Sequence, residues 1–103
     1  MTDEAPACLV TGGASGIGEA CVRAFAASGY RVAFGDLQVE KGLALEKKIG
    51  GNALFQRLDV SSEADFAAAV KGVLDRWGRL DCLVNNAAIA GVIGPIADIP
   101  LDE

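Results

Sequence analysis

A chain of 103 residues has room for one domain with one core, and its 51% apolar residues, spread along the whole length, make that core globular and not disordered. The formal charge of −5 excludes the basic surface that general affinity for nucleic acid or anionic membrane requires. Cys8, Cys21 and Cys82, odd in number and set among apolar neighbours, describe reduced, buried small hydrophobes in a cytoplasmic setting, not a disulfide framework or a metal site.

Apolar runs alternate with helical periods from the start, which is the pattern of βαβ units and an α/β fold with a parallel sheet. Residues 7 to 11 form the first strand, and Ile17, Ala20, Cys21, Ala24 and Phe25 then share one helical stripe that ends near Gly29. Arg31 to Gly35 is the second strand, followed by a helix from Val39 to Ile49 that stops at Gly50-Gly51. Ala53 to Leu58 is the third strand, and its Gln56-Arg57 suits a sheet edge. Ser62 with Asp65 three residues on resembles a capping box, after which Phe66, Ala69, Val70, Val73, Leu74 and Trp77 keep the spacing of a core-facing stripe up to Gly78. Trp77 is therefore expected in the core. Leu80 to Asn85 is the fourth strand, and Pro100 opens a further helix. The acidic start at Met1 and the glycine- and proline-broken stretch from Ala87 to Ala97 fit neither a signal peptide nor a membrane span.

Cys82-Leu83-Val84 is apolar on both faces, as an interior strand of a parallel sheet is, so the sheet is expected to take another neighbour there. The 103-residue chain by itself is accordingly expected to be marginally stable or to self-associate.

"TGGASGIG", residues 11 to 18, lies where the first strand gives way to a helix, at the carboxyl end of the sheet where open α/β sheets bind ligands. Gly12 and Gly13 permit a tight turn, Gly16 lets a pyrophosphate approach the main chain, and Gly18 lets the helix pack closely on the strand. Backbone N–H groups and the helix dipole supply an anion site, to which Ser15 adds a hydroxyl. The spacing Gly12-x-x-x-Gly16-x-Gly18 is neither G-x-G-x-x-G nor a P-loop, since Glu19 stands where the P-loop lysine would be.

Asp36 follows Gly18 by 18 residues, at the end of the second strand, where a carboxylate accepts both ribose hydroxyls of an adenosine. Its charge repels a 2′-phosphate, Leu37 brings no compensating cation, and Ala14-Ser15 places no arginine in the turn, so NAD is favoured over NADP. Asp59-Val60 ends the third strand, suited to the adenine amino group or to a helix start. Asn85-Asn86 ends the fourth with two amides, which either bridge neighbouring strand ends or line the far side of a cofactor.

With "TGGASGIG", Asp36, "DV" at 59 and 60, and "NNAA" at 85 to 88, the chain resembles the short-chain dehydrogenase/reductase family over nearly its whole length. The resemblance implies a Rossmann-like parallel sheet with flanking helices, here incomplete at about four strands in the order 3-2-1-4. Residues 1–103 would then be the N-terminal dinucleotide-binding part of a single domain. It implies hydride transfer between NAD and a small-molecule alcohol or carbonyl, and a homo-oligomer for the complete protein. Gly12, Gly16 and Gly18 take the glycine turn, Ser15 and Ile17 the diphosphate, Asp36 the adenosine ribose with Leu37 beside it, Asp59 and Val60 the adenine, and Asn86 with Ala87 the nicotinamide ribose. Ala88 replaces the glycine of the family's N-N-A-G. The family's catalytic serine and Tyr-x-x-x-Lys pair lie beyond the fourth strand. Tyr30 is followed four residues later by Phe34, so residues 1–103 hold no catalytic pair. The alternatives are a non-catalytic half-domain that binds adenine dinucleotides and, further off, a methyltransferase that uses S-adenosylmethionine.

Overall fold

The computed structural model describes residues 5–14 and 16–86. They form β1 (Ala7–Thr11), α1 (Gly16–Ala27), β2 (Arg31–Asp36), α2 (Val39–Ile49), β3 (Ala53–Arg57), α3 (Glu63–Trp77) and β4 (Cys82–Asn85) in strict alternation. The four strands are all parallel and ordered β3-β2-β1-β4.

Successive side chains of a strand point to opposite faces, and both faces of this sheet are covered, so its central strands are apolar without interruption. Cys8 and Val10 of β1 join Val32 and Phe34 of β2 in one core, closed by Val22 of α1 and Leu45 of α2. Ala7, Leu9 and Ala33 point the other way and meet Ala69 and Val73 of α3. The close fit of α2 rests on Gly42, where a Cβ would run into the Phe55 ring. Among the described residues β3 lies at an edge of the sheet, as Gln56 and Arg57 led one to expect. Among the described residues β4 is bonded along one side only, and Cys82 to Asn85 are each half-buried.

The buried stripe of α1 is turned by one residue from the expected one. Gly18 and Val22 are buried and Cys21, Phe25 and Ala26 pack beside them, whereas Ala20 and Ala24 are exposed and Ile17 is 70% exposed. The helix touches the sheet through Gly18, and the contact repeats at three- and four-residue steps from there. In α3 the expected stripe holds except at Leu74, which lies 45% exposed beyond the edge of the core, while Trp77 packs against the core. Ser62 does cap α3, accepting the Asp65 N–H at 3.1 Å, but the capping box is not reciprocal. Asp65 Oδ2 accepts instead from the Asp59 N–H at 3.0 Å, tying the helix start to the loop after β3. The expected helix at Pro100 lies outside the described residues.

The three cysteines are free thiols that the fold gathers together. Cys8 and Cys82 are partners across β1 and β4, and Cys21 packs onto the same core from α1. Burial, with smaller contributions from Cys82 and Cys21, pushes the Cys8 thiol up to about 12. It stays protonated and unreactive at neutral pH.

Candidate functional site: the carboxyl edge of the sheet

The carboxyl ends of the four parallel strands bring Gly12, Asp36, Asp59 and Asn86 to one edge. Gly12 takes φ 69°, a left-handed conformation that favours glycine, and donates its N–H to Gly35 O at 2.7 Å. Gly13 does not share that conformation. Its lack of a side chain answers to packing, because a Cβ would lie 2.6 Å from Phe34 Cβ. Gly16 also takes a positive φ, 61°, and among the described residues a Cβ there would meet nothing within 4 Å. Gly18 is the tightest contact. A Cβ on it would collide with the Gly12 carbonyl, which brings α1 hard against the end of β1 as expected.

Asp36, the last residue of β2, has both carboxylate oxygens engaged by backbone. Oδ2 accepts the Ala14 N–H and Oδ1 the Gln38 N–H, each at 3.0 Å. Beyond it Gly12, Asp36, Leu37, Leu58, Asp59 and Val60 line a cleft of about 120 Å³. Leu37 and Val60 are 55% and 45% exposed, two apolar side chains turned to solvent on either side of that cleft. Leu58, almost fully buried, contributes to the same lining. Sequence reasoning placed Leu58 in a strand and missed this role, since nothing distinguishes it there from any core leucine.

Asp59 Oδ1 accepts from both the N–H and the hydroxyl of Ser61, at 3.0 and 2.7 Å, and its carbonyl accepts the Ser62 N–H. The Ser61 hydrogen bonds hold its carboxyl below the usual range, so it is ionised at neutral pH. Asn85 and Asn86 do bridge strand ends. Asn85 Oδ1 accepts the Thr11 hydroxyl at 2.9 Å, and Asn86 Nδ2 donates to Gly12 O at 3.2 Å. Thr11, the one buried polar residue among those described, was missed as an anchor because a threonine at a strand end carries no signal until its neighbour is known. Ser15 and Ala87, together with Ala88, lie outside the described residues.

Chemically, this edge offers a glycine turn at a helix N-terminus, the Asp36 carboxyl group beside it, and an apolar-walled cleft, the parts needed to hold an adenosine diphosphate. No helix among the described residues is long and apolar enough to cross a membrane, and no group of His, Cys, Asp or Glu among them could hold a metal ion.

Residues 6–103 match the short chain dehydrogenase family. The chain belongs to that family. Sorbitol dehydrogenase from Cereibacter sphaeroides is 43% identical over 91 residues, covering 88% of this chain and 35% of that protein. The 3-alpha-(or 20-beta)-hydroxysteroid dehydrogenase of Mycobacterium tuberculosis is 43% identical over 95 residues, covering 92% and 36%. Among solved structures, the 3-ketoacyl-(acyl-carrier-protein) reductase of Brucella melitensis complexed with NADH superimposes with TM-score 0.73 at 36% identity, over 76% of this chain and 32% of that one. The actinorhodin polyketide ketoreductase with NADPH gives TM-score 0.77 at 33% identity, over 82% and 33%. The chain thus spans about a third of the length of these relatives, and its Rossmann-like sheet is the one this family uses. Family membership sets the methyltransferase reading aside.

Proposed function

We propose that the chain is the NAD(H)-binding portion of an oxidoreductase that transfers hydride between a nicotinamide cofactor and an alcohol or carbonyl substrate. In this reading the catalytic serine and Tyr-x-x-x-Lys pair lie beyond residue 103. The observation that carries it is Asp36, an acceptor fixed beside the glycine turn at the mouth of the Leu37–Val60 cleft, with no ion pair to neutralise it among the described residues. The residues present fit the group. Among the described residues nothing crowds Gly16, which leaves room for a diphosphate over the first turn of α1, whose N–H groups lack intrahelical acceptors.

Leu37 and Val60 would then enclose the adenine with Asp59 at its edge, Asp36 would accept the ribose hydroxyls, and Gly12, Gly16, Ile17 and Gly18 would surround the diphosphate. Ser15 would add a hydroxyl at the diphosphate, and Asn86 with Ala87 would stand beside the nicotinamide ribose, roles that rest on the family pattern. The bound cofactor supplies the hydride chemistry, and these residues orient it. An aspartate with no ion pair among the described residues disfavours a 2′-phosphate, which supports NAD over NADP. For the complete protein we propose a small-molecule substrate, a homo-oligomer and a cytoplasmic location.

The test is a fluorescence titration of the full-length protein with NADH and NADPH. We expect NADH to bind tighter by about tenfold or more, the scale of one unfavourable like-charge contact. Equal affinities would remove the assignment to NAD, and no binding of either would remove the reading altogether.

A further inference from the structure

The glycine turn is held by β2, not by the strand it follows. Gly12 and Gly13 both donate to Gly35 O, at 2.7 and 3.1 Å, and Ala14 donates to Asp36 Oδ2 at 3.0 Å. These three consecutive amides are therefore already used, and among the described residues those left for a ligand anion are in the first turn of α1. The Gln38 N–H holds the other carboxylate oxygen, so the Asp36 side chain is fixed at both oxygens. Each oxygen accepts two hydrogen bonds, which leaves one position on each for a vicinal diol.

We infer that Asp36 is a positioning residue for the glycine turn as well as a ribose acceptor, so that the carboxylate that reads the adenosine also sets the shape of the turn that receives the diphosphate. The inference rests on the nicotinamide reading for its ligand, but its structural half stands on the Ala14 contact. Its consequence is that a change at Asp36 weakens binding of ligands that have no ribose.

Asp36→Asn tests this in the full-length protein, because an amide offers one acceptor where two N–H donors converge. Three quantities are compared with wild type: hydrogen exchange of the Ala14 amide without ligand, affinity for inorganic pyrophosphate, and affinity for NADH. We expect Ala14 exchange faster by about tenfold or more, the equilibrium worth of one hydrogen bond to a charged group, with both affinities reduced. Weaker NADH binding with unchanged Ala14 exchange and pyrophosphate affinity would make Asp36 a ribose reader alone and overturn the inference, leaving the nicotinamide reading intact. A wild type that binds neither ligand would sink the nicotinamide reading, while unchanged Ala14 exchange in the variant would sink the bracing role by itself. If Asp36→Asn does not fold, Gln38→Pro removes one of the two donors at a residue whose φ of −83° proline tolerates. NADH affinity should then fall about threefold, within the worth of one weak hydrogen bond, and an unchanged value would show that backbone amides do not aim the carboxylate.

Discussion

The amino end of β1 and the glycine turn beyond its carboxyl end are each held by an aspartate, one from the loop before β4 and one from the end of β2. At the amino end, Asp81 Oδ2 accepts the Ala7 N–H at 2.9 Å, and Arg79 closes on both carboxylate oxygens at 2.8 and 2.9 Å. At the carboxyl end, Asp36 accepts the Ala14 N–H, and its second oxygen takes another backbone amide in place of a cation. The same side chain thus does the same bracing work with opposite electrostatics. Asp81 has its charge neutralised where it stands, which is how a purely structural carboxylate is satisfied. Asp36 has no ion pair among the described residues and keeps spare acceptor positions at the edge of a cleft, which is how a carboxylate stays available to a ligand.

The largest expected effect breaks the carboxyl end. Gly18→Ala forces a methyl group into the Gly12 carbonyl and toward Asn86 Nδ2, and should cost about 3 kcal/mol in urea denaturation, at the upper range of overpacking. A cost below about 1 kcal/mol would mean that the turn yields, and that the close approach of α1 is not needed. Asp81→Asn attacks the amino end alone. It should lower Tm at pH 7 while leaving NADH affinity unchanged, the reverse of what Asp36 variants do to affinity. The Arg79 hydrogen bonds and the Ala7 N–H hold the Asp81 carboxyl down from 3.8 to about 2. A depressed folded-state value means that the contribution is whole above the unfolded pKa and drains away as pH falls through the folded one. The Tm difference between wild type and variant should therefore shrink across the window from 3.8 to about 2, and a difference constant over that window would refute the assignment. The smallest effect is a control away from both ends. Leu74→Ser on the outer side of α3 should cost about 1 kcal/mol, from the half of the leucine that is buried and the lower helix propensity of serine, and a loss above about 2 kcal/mol would show that this side is covered.

Most of the fold was legible because its signals are local. The alternation of runs and periods located the seven elements among the described residues, and the edge position of β3 followed from Gln56 and Arg57. The stripe of α1 was misplaced by one residue because alanine is as common on an exposed helical face as on a buried one, and only the contact at Gly18 decides which face turns inward. The box at Ser62 was half right for a related reason. The cap is local, whereas the partner of Asp65 is a backbone amide outside the helix.

By itself the sequence determined the parallel α/β class, the position of the glycine turn and the aspartate after the second strand, because each depends on spacing along the chain and on the conformational freedom of glycine. Tertiary structure alone decided that Gly13 is small to clear Phe34, that Leu58 joins Leu37 and Val60 around one cleft, and that the Asp36 carboxylate is aimed by the amides of Ala14 and Gln38. These are contacts between segments distant along the chain or across a turn, and a hydrogen-bond partner is chosen by distance and angle in space, which no pattern of residue types records.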